Sequence, residues 1–298
     1  MKIRTVMFLA CMLLGSIESV YAESVRSLIM PTVYKKGLIW RIESSQKKVS
    51  YLLGTMHVND PGIWSLFGRA QGFFDQAKVV CTEVKLDFQT VAAEMRATFF
   101  HDGRTLESVI NDPVFYRLVV ATAQQKGLPE ILIKNMKPFT LVFMLSMPAP
   151  KGQMLDEKIY HDAILAGKTS CALETVEEHA TVLDVFSMPE QISMLRTTIK
   201  HMDEVNAMYP ALLKAYLARD LVAMARLTNE SMMMEDPAIE EIFLQKFLVD
   251  RNVKMVERMI PHVRKGQAFF AIGAMHLTGS AGVLRLLVEK GYTVTAVY

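Results

Sequence analysis

The sequence lacks an excess of charge of either sign. It contains 33 lysine and arginine residues against 31 aspartate and glutamate residues, which gives a formal net charge of +2. It also lacks a basic stripe interleaved with aromatic residues, the pattern that marks electrostatic binding of nucleic acid. We therefore expect no nucleic-acid partner.

A long apolar run is also absent. No segment after the N-terminus reaches the roughly 18 uninterrupted apolar residues that a membrane-spanning helix needs. Residues 1–22 have instead the form of a signal peptide, because Lys2 and Arg4 precede the apolar run 6–14 and Ala22 precedes the cleavage point. This pattern predicts an exported protein, periplasmic or secreted, with no stable membrane span after cleavage.

A lipoprotein is the alternative interpretation of the same N-terminal segment. The residues Phe8-Leu9-Ala10-Cys11 loosely resemble the motif at which lipoproteins are modified on cysteine. In that case the chain would be anchored through Cys11 instead of being released.

Cysteine is scarce. Outside the N-terminal segment the chain has only Cys81 and Cys171. In an oxidising compartment two cysteines can form a disulfide. The alternative is that both are buried and act as small apolar side chains.

Linkers rich in proline, glycine or serine are absent as well. Apolar residues make up 51% of the chain and charged residues 21%, so the chain can bury a large core. We predict a single domain over residues 23–298, with helical insertions at about 88–165 and 176–265.

Six short runs rich in apolar and β-branched residues predict strands. The first two flank a polar segment and predict an antiparallel hairpin. Several of the others are too continuously apolar to have a solvated face, and strands of that kind lie in a sheet covered by helices on both sides. The predicted strands are 37–41, 48–55, 78–86, 169–173, 267–274 and 292–297.

Apolar residues at a period of 3.6 predict helices between the strands. One stripe, from Ile192 to Val205, predicts a single long helix, and residues 280–290 predict a helix that joins the last two strands in a compact β-α-β unit. The fold class is therefore mixed α/β, a central and mostly parallel sheet with an N-terminal hairpin, surrounded by helices and large helical insertions. The other predicted helices are near 62–76, 88–100, 113–126, 138–147, 155–166, 175–184, 210–227, 238–248 and 250–264.

Imidazole and carboxylate side chains stand where four of the predicted strands stop. The run YLLGTMH ends at His57 and the run FFAIGAMH ends at His276, while Glu83 and Glu174 follow two other strands. In open α/β sheets, ligands bind outside the carboxyl ends of the strands. If the four strands are neighbours, these side chains converge. Two histidines with one or two carboxylates are a ligand set suited to zinc, manganese, cobalt or iron.

Each of these residues also has a purely structural explanation. A histidine at the end of an apolar strand is often a core residue with a satisfied hydrogen bond, and Glu174 can favour the N-terminus of the helix that follows it. Glu83 is harder to explain in this way, because a carboxylate among apolar residues is costly to bury unless it is paired, metal-bound or protonated. The hypothesis of a metal site depends on the four residues occurring together.

A glycine lies three residues before each of the two histidines. Without a Cβ, Gly54 and Gly273 would allow a tight turn at the strand end or a close approach of a ligand to the backbone. Ordinary connections between strands and helices use glycine in the same way, so the glycines alone do not identify a site.

Five segments together resemble the TraB/PrgY/GumN family, to which the Tiki metalloproteases are related. The resemblance covers nearly the whole chain after residue 22, and its most specific part is the two Gly-x-x-His motifs with a glutamate between them. The segments are WRIESSQKKVSYLLGTMHV (40–58), VVCTEVKL (79–86), LETVEEH (173–179), RNVKMVERM (251–259) and AIGAMHLTGSAGVLRLLVEKGYTV (271–294).

The resemblance carries the family's pattern onto six positions and departs from it at two. Glutamine is expected where His179 stands, and glycine where Met154 stands, which affects the outer pocket more than a metal centre. The matching positions are the two motif histidines His57 and His276, the glutamates Glu83 and Glu174, and the pair Arg251 and Asn252.

The resemblance implies a peptidase that depends on a divalent metal, with manganese or cobalt as usual ions and zinc as a further candidate, and a peptide or protein as substrate. We expect His57, His276 and a carboxylate to hold the metal and to activate water. Whichever of Glu83 and Glu174 is not a ligand could act as general base, and Arg251 could anchor a substrate carboxylate or stabilise an oxyanion.

Two other functions are compatible with the same residues. The first is a non-catalytic protein of the same fold that binds haem, a metal or a peptide. The second is an interaction protein in which the two motifs are only structural turns.

Overall fold

A computed structural model of the chain describes residues 33–148, 152–231 and 236–298. The predicted signal peptide, residues 1–22, and the lipoprotein alternative at Cys11 lie outside the described residues. Within the described residues, no helix is both long enough and apolar enough to cross a membrane.

A six-stranded mixed sheet forms the centre of the molecule, as predicted. Its strand order is β4-β3-β5-β2-β1-β6. The neighbours β4, β3, β5 and β2 pair in parallel, whereas β1 pairs antiparallel with both β2 and β6. The strands are β1 Ile39–Glu43, β2 Val49–Thr55, β3 Val79–Thr82, β4 Thr169–Ala172, β5 Ala268–Gly273 and β6 Thr293–Ala296.

The two ends of the described chain meet in this sheet. The predicted hairpin is present, with Ile39 opposite Leu53 and Glu43 opposite Val49. The predicted β-α-β unit is less compact than expected. Strands β5 and β6 run in the same direction, but the hairpin strands β2 and β1 lie between them.

Helices surround the sheet and fill the long intervals between β3 and β4 and between β4 and β5. Two short helices, Leu106–Ile110 and Glu130–Ile133, contain too few residues for a periodic pattern and were not predicted. The helices are α1 Pro61–Gln76, α2 Phe88–Thr98, α3 Leu106–Ile110, α4 Pro113–Gln125, α5 Glu130–Ile133, α6 Pro138–Ser146, α7 Leu155–Leu165, α8 Val176–Thr181, α9 Met188–Lys200, α10 Met202–Leu217, α11 Leu221–Ser231, α12 Pro237–Leu244, α13 Asp250–Lys265 and α14 Val283–Glu289.

Asp-Pro pairs start three of these helices. Asp60, Asp112 and Asp236 each lie in an extended conformation and accept a hydrogen bond from a backbone amide of the first turn. The following proline occupies the first helical position, where the missing N–H costs nothing. Local sequence therefore determines where α1, α4 and α12 begin.

Two helix predictions were wrong in the same way. The stripe from Ile192 to Val205 is split between α9 and α10, because the backbone leaves the helical conformation at His201. The predicted helix 210–227 is likewise divided between α10 and α11, by a turn in which Arg219 has a φ of 60°. In both cases the apolar period continues across the break, so periodicity alone could not locate it.

The main core lies on both faces of the sheet. Strand β5 is its centre, and every residue from Ala268 to Ile272 is at most 1% exposed. Helix α13 contributes Met255, Met259 and Val263 to the same core. This packing fixes α13 beside β5, which positions the polar side chains at the beginning of that helix near the carboxyl end of the strand.

Candidate metal centre

The four predicted strand ends lie side by side at one edge of the sheet. Strand order places β4, β3, β5 and β2 next to one another, all running in the same direction. The residues that follow their last positions are Glu174, Glu83, His276 and His57. The structure therefore brings together all four residues that were expected to converge.

The two Gly-x-x-His motifs pack against each other. Thr55 at the end of β2 is the register partner of Gly273 at the end of β5. A Cβ on Gly54 would lie 2.6 Å from Leu277 Cδ1 and 3.2 Å from Ala274 Cα, and one on Gly273 would lie 3.2 Å from Glu83 Oε1. Each glycine leaves room for side chains or backbone of the other half of the site.

His276 is buried and is held from behind by an amide. Its side chain is 6% exposed, and its Nδ1 lies 2.7 Å from Asn252 Oδ1. Because Asn252 donates through Nδ2 to the carbonyl of Ala281 at 2.8 Å, its Oδ1 accepts the Nδ1–H of the imidazole. Burial and the charge of Arg251 lower the pKa of His276 to about 4. The ring is therefore neutral near pH 7, with the Nε2 lone pair turned toward Glu83.

His57 is half-exposed and is held by a carboxylate. Its side chain is 50% exposed, and its Nδ1 lies 3.0 Å from Asp156 Oδ2. The other oxygen of Asp156 accepts a hydrogen bond of 2.6 Å from the hydroxyl of Thr55. The charge of Asp156 raises the pKa of His57 to about 9. A carboxylate on Nδ1 directs Nε2 toward the site, as it does for many metal-binding histidines.

Glu83 lies close to both histidines and to the backbone amide of Gly273. Its Oε1 accepts the amide N–H of Gly273 at 2.6 Å and is 3.9 Å from His276 Nε2. Burial by itself raises the pKa of Glu83, but His276, Arg251 and the Gly273 amide bring it well below its usual range. The carboxylate is ionised and keeps one oxygen turned toward the imidazoles.

Arg251, in the first turn of α13, joins Glu83 to Glu174. Its Nη2 donates to Glu83 Oε2 and to Glu174 Oε2, both at 2.7 Å, and its Nε donates to Glu174 Oε1 at 2.7 Å. A further hydrogen bond from Nη1 reaches the carbonyl of Phe247 at 3.2 Å. Four of the five guanidinium N–H groups are thus used within the protein. Arg251 thus pairs with two buried carboxylates, and its own side chain is only 13% exposed.

His179 is a member of the site that the spacing of the sequence did not reveal. Its Nδ1 lies 3.2 Å from Glu174 Oε2, and its Nε2 lies 3.7 Å from Glu94 Oε1 on α2. The capping box of α8, formed by Thr175 and Glu178, holds the turn that carries both Glu174 and His179. The resemblance marked position 179 as a departure, which was the only signal for it.

Asp156 was missed as a partner of the site. It belongs to the first turn of α7, where acidic residues are common because they favour a helix N-terminus. Only the fold places it against His57, 99 positions away in the sequence. No pattern in the sequence separates Asp156 from other acidic residues in first turns.

The described residues contain a donor set that fits a divalent metal. His57 Nε2 and Glu83 Oε1 lie 3.5 Å and 3.2 Å from one point, the position that a Cβ on Gly273 would take, and His276 Cδ2 lies 3.6 Å from it. Two imidazole nitrogens and one carboxylate oxygen are the ligands of many catalytic metal sites. Within the described residues, His57, His276 and Glu83 are not among the groups whose ligand atoms all lie within 4.8 Å of one another, so the set is wider than a coordination sphere.

A second group of potential ligands has shorter distances between its atoms but is already paired with a cation. The ligand atoms of Glu83, Glu174 and His179 all lie within 4.8 Å of one another. The guanidinium of Arg251 lies 2.7 Å from both carboxylates, so a cation already compensates one of their two negative charges. Both oxygens of Glu174 accept from this arginine, which makes Glu174 an anchor for Arg251 more than a ligand facing the histidines.

A disulfide joins the two strands that precede Glu83 and Glu174. Cys81 and Cys171 are register partners on β3 and β4, and their sulfurs are joined. Of the two alternatives left open for these residues, the structure has the disulfide. The disulfide links the two strands that precede the glutamates: Cys81 lies two residues before Glu83, and Cys171 lies three residues before Glu174.

A sequence profile of the TraB/PrgY/gumN family matches residues 38–296, which include every residue of the site. The chain is also similar to proteins named Metalloprotease TIKI1, from Danio rerio and Xenopus tropicalis, and to the Metalloprotease TIKI homolog of Amphimedon queenslandica. Identity is 22% in each case over 87% of this chain. The chain spans only about three fifths of the length of these relatives, 61% or 62%. No solved structure matches the chain.

Proposed function

The chain belongs to the TraB/PrgY/gumN family, and we propose that it is a divalent-metal-dependent hydrolase that cleaves peptide bonds. The observation that carries the proposal is the arrangement of His57, His276 and Glu83 around the position of the missing Gly273 side chain. The names of the similar proteins, which are metalloproteases, support the reaction class.

In this proposal the ion is held by His57 Nε2, His276 Nε2 and Glu83 Oε1. A bound divalent ion supplies a Lewis acid that acidifies water and polarises a carbonyl oxygen. Manganese, cobalt and zinc all accept imidazole and carboxylate ligands, so the donor set does not select one of them. Asp156 and Asn252 act as positioning residues, because each fixes the orientation of one imidazole ring through Nδ1.

The two glutamates have different tasks. Glu83 keeps one oxygen turned toward the histidines, so it is the glutamate that would complete the ligand set of the ion. Glu174 is 1% exposed and uses both oxygens on Arg251, and hydrogen bonds of this kind lower its pKa despite its burial. A carboxylate held in this way is a weak base, so its task is to keep Arg251 beside Glu83.

Export of the protein is part of the proposal. It is supported by the signal-peptide pattern of residues 1–22 and is consistent with a disulfide, which persists in oxidising compartments. Detection of the processed chain in the periplasm or medium of expressing cells, by N-terminal sequencing, would test it. A chain that keeps residues 1–22 inside the cell would contradict export.

The experiment that tests the hydrolase is an assay of the purified chain on a peptide library with added Mn²⁺, Co²⁺ or Zn²⁺. We expect cleavage that requires the metal and falls at least about 100-fold in His276→Ala and Glu83→Gln. His101→Ala is the matched control, because His101 is exposed and lies outside the site. If both site variants remain folded and cleave like the wild type, the assignment is wrong. If the ion binds and no peptide is cleaved, a binding protein of the same fold is the better description.

A further inference from the structure

A cavity of about 260 Å³ lies among the insertion helices. It is bounded by α6, α9, α10, α11 and α12, and most of the surface that lines it is apolar. Three aromatic rings, those of Phe139, Phe143 and Phe243, form part of its wall. An engineered apolar cavity of about 150 Å³ is large enough to bind benzene, so this one has room for an aromatic or long aliphatic group.

Two lining residues of the cavity contact neighbours of the metal-centre residues. Thr228, which lines it, donates a hydrogen bond to the sulfur of Met275 at 3.4 Å, and Met275 directly precedes His276. Phe243, another lining residue, packs in the same small cluster as Met275. Phe243 also stacks on Phe247, with ring centroids 4.3 Å apart. The backbone carbonyl of Phe247 accepts the hydrogen bond from Arg251 Nη1.

The charges at the cavity favour some ligands over others. Glu204 and Asp236 are among the described lining residues, and these residues include no lysine or arginine. Glu204 is 55% exposed and lies 3.6 Å from His201, so this end of the cavity faces solvent. An anionic ligand such as a fatty acid or a phosphate would meet negative charge there, whereas a neutral apolar side chain would not.

We propose that this cavity is a specificity pocket that receives an apolar side chain of the peptide substrate, aromatic or long aliphatic. The inference rests on the proposed hydrolase function, because it assigns the cavity to the same substrate. The apolar lining would supply the binding energy. Thr228 contacts Met275, the neighbour of His276, and Phe243 stacks on Phe247, which is hydrogen-bonded to Arg251, so these contacts connect the cavity to the metal centre.

Two adjacent residues of α10 provide a matched pair of variants. Val205 lines the cavity, whereas Asn206 is exposed and is not one of its lining residues. Val205→Trp should fill the cavity, and Asn206→Trp should add the same side chain outside it. Ser193→Trp is a second filling variant, because Ser193 lines the cavity but is exposed, so the change does not disturb the core.

The first measurement is kcat/KM of the full chain with Mn²⁺ or Co²⁺, on peptide pairs in which one position is phenylalanine or alanine. At one position we expect the wild type and Asn206→Trp to prefer phenylalanine by about 10- to 100-fold. In Val205→Trp and Ser193→Trp the preference should fall to within about 3-fold, because the rate on the phenylalanine peptide falls more than the rate on the alanine peptide. An undiminished preference in both filling variants would overturn the proposal.

The second measurement needs no turnover and so separates the pocket from the hydrolase. Saturation-transfer NMR with N-acetyl-phenylalanine amide, and with the alanine analogue as control, reports direct binding. Signal for the phenylalanine compound in the wild type and Asn206→Trp, lost in both filling variants, supports the pocket even if no peptide is ever cleaved. Equal signal in all four proteins contradicts the pocket even if peptides are cleaved.

Discussion

The two Gly-x-Met-His ends share a sequence pattern and differ in their surroundings. His276 is buried and is held by the neutral amide of Asn252, whereas His57 is half-exposed and is held by the carboxylate of Asp156. The pKa values of the two rings move in opposite directions, to about 4 for His276 and about 9 for His57. The motif therefore determines the position of a histidine, and the helix packed against it, α7 or α13, supplies the hydrogen-bond partner of its ring.

The comparison also explains why the pattern occurs twice. Strands β2 and β5 are parallel neighbours, and the two motifs end at the same level. Gly54 makes room for Ala274 and Leu277 of the second motif, and Gly273 makes room for Glu83 and His57. The repeated pattern is thus one packing solution used by both sides of a single site, and it requires no duplication of sequence.

Removal of the Arg251 side chain should have the largest effect on stability, because its partners Glu83 and Glu174 are buried. Arg251→Met leaves Glu83 and Glu174 as uncompensated buried carboxylates, so we expect a loss of about 3–5 kcal/mol in the free energy of unfolding. Denaturant unfolding measures it. The matched control is Arg285→Met, which removes an exposed pair with Glu289 on α14 and should cost no more than about 0.5 kcal/mol. Equal costs for the two variants would contradict the description of Arg251 as a structural counter-ion.

The partners of the two histidines should differ in their contribution to stability. Asn252→Ala leaves the Nδ1–H of His276 and the carbonyl of Ala281 without a partner in buried surroundings, which should cost about 1–3 kcal/mol. Asp156→Asn keeps an acceptor for Thr55 and lies at the half-exposed side, so it should cost less than about 1 kcal/mol. Both changes should weaken metal binding by about 10- to 100-fold. Thermal unfolding and metal titration of both variants would show whether stability and metal affinity separate in this way.

Substitutions of Gly54 and Gly273 should affect stability and metal affinity separately. Gly54→Ala brings a methyl group against Leu277 and the backbone of Ala274, and we expect a cost of about 1–2 kcal/mol with metal affinity retained. Gly273→Ala places its methyl group between Glu83 and His57, so we expect metal affinity to fall with a smaller change in stability. Isothermal titration with Mn²⁺, beside thermal unfolding, is the measurement. The reverse assignment of the two effects would show that the ion does not bind between the histidines.

Titration of the two rings is the smallest of the expected effects. In chelator-treated protein, NMR should find the pKa of His57 near 9 and that of His276 near 4. Because the pKa of His57 is raised, its pairing with Asp156 stabilises the fold below about pH 6.5 and is lost as the pH rises through about 9. Because the pKa of His276 is lowered, stability falls as the pH drops from about 6.5 toward 4. Asp156→Asn should return His57 toward its ordinary value and leave His276 unchanged, and two similar pKa values in the wild type would contradict the comparison.

The sequence was sufficient to predict the sheet edge and its four polar residues. Strand β5 is a continuous apolar run bounded by Gly273, so both its burial and its end could be recognised. The mostly parallel sheet followed from several strands of this kind. Helix breaks at His201 and Arg219 were not predictable, because the apolar period runs across both.

The division of tasks within the site was not predictable either. Glu83 and Glu174 both follow a short strand, and what distinguishes them is the hydrogen-bonding geometry of Arg251, which lies 77 positions after Glu174. The same holds for Asp156 and His179, whose contacts depend on how α7 and α8 pack. Residue type and local pattern identified the candidates, but only the tertiary contacts assign each one a partner.

The central claim is that the two Gly-x-Met-His ends bind one ion together. Equilibrium dialysis of the full chain with Co²⁺, followed by X-ray absorption at the cobalt edge, tests it most directly. We expect one ion per chain with two imidazole ligands, bound at least about 10-fold more weakly in His57→Ala and in His276→Ala and with unchanged affinity in His101→Ala. Cobalt bound as tightly by both site variants as by the wild type would contradict it.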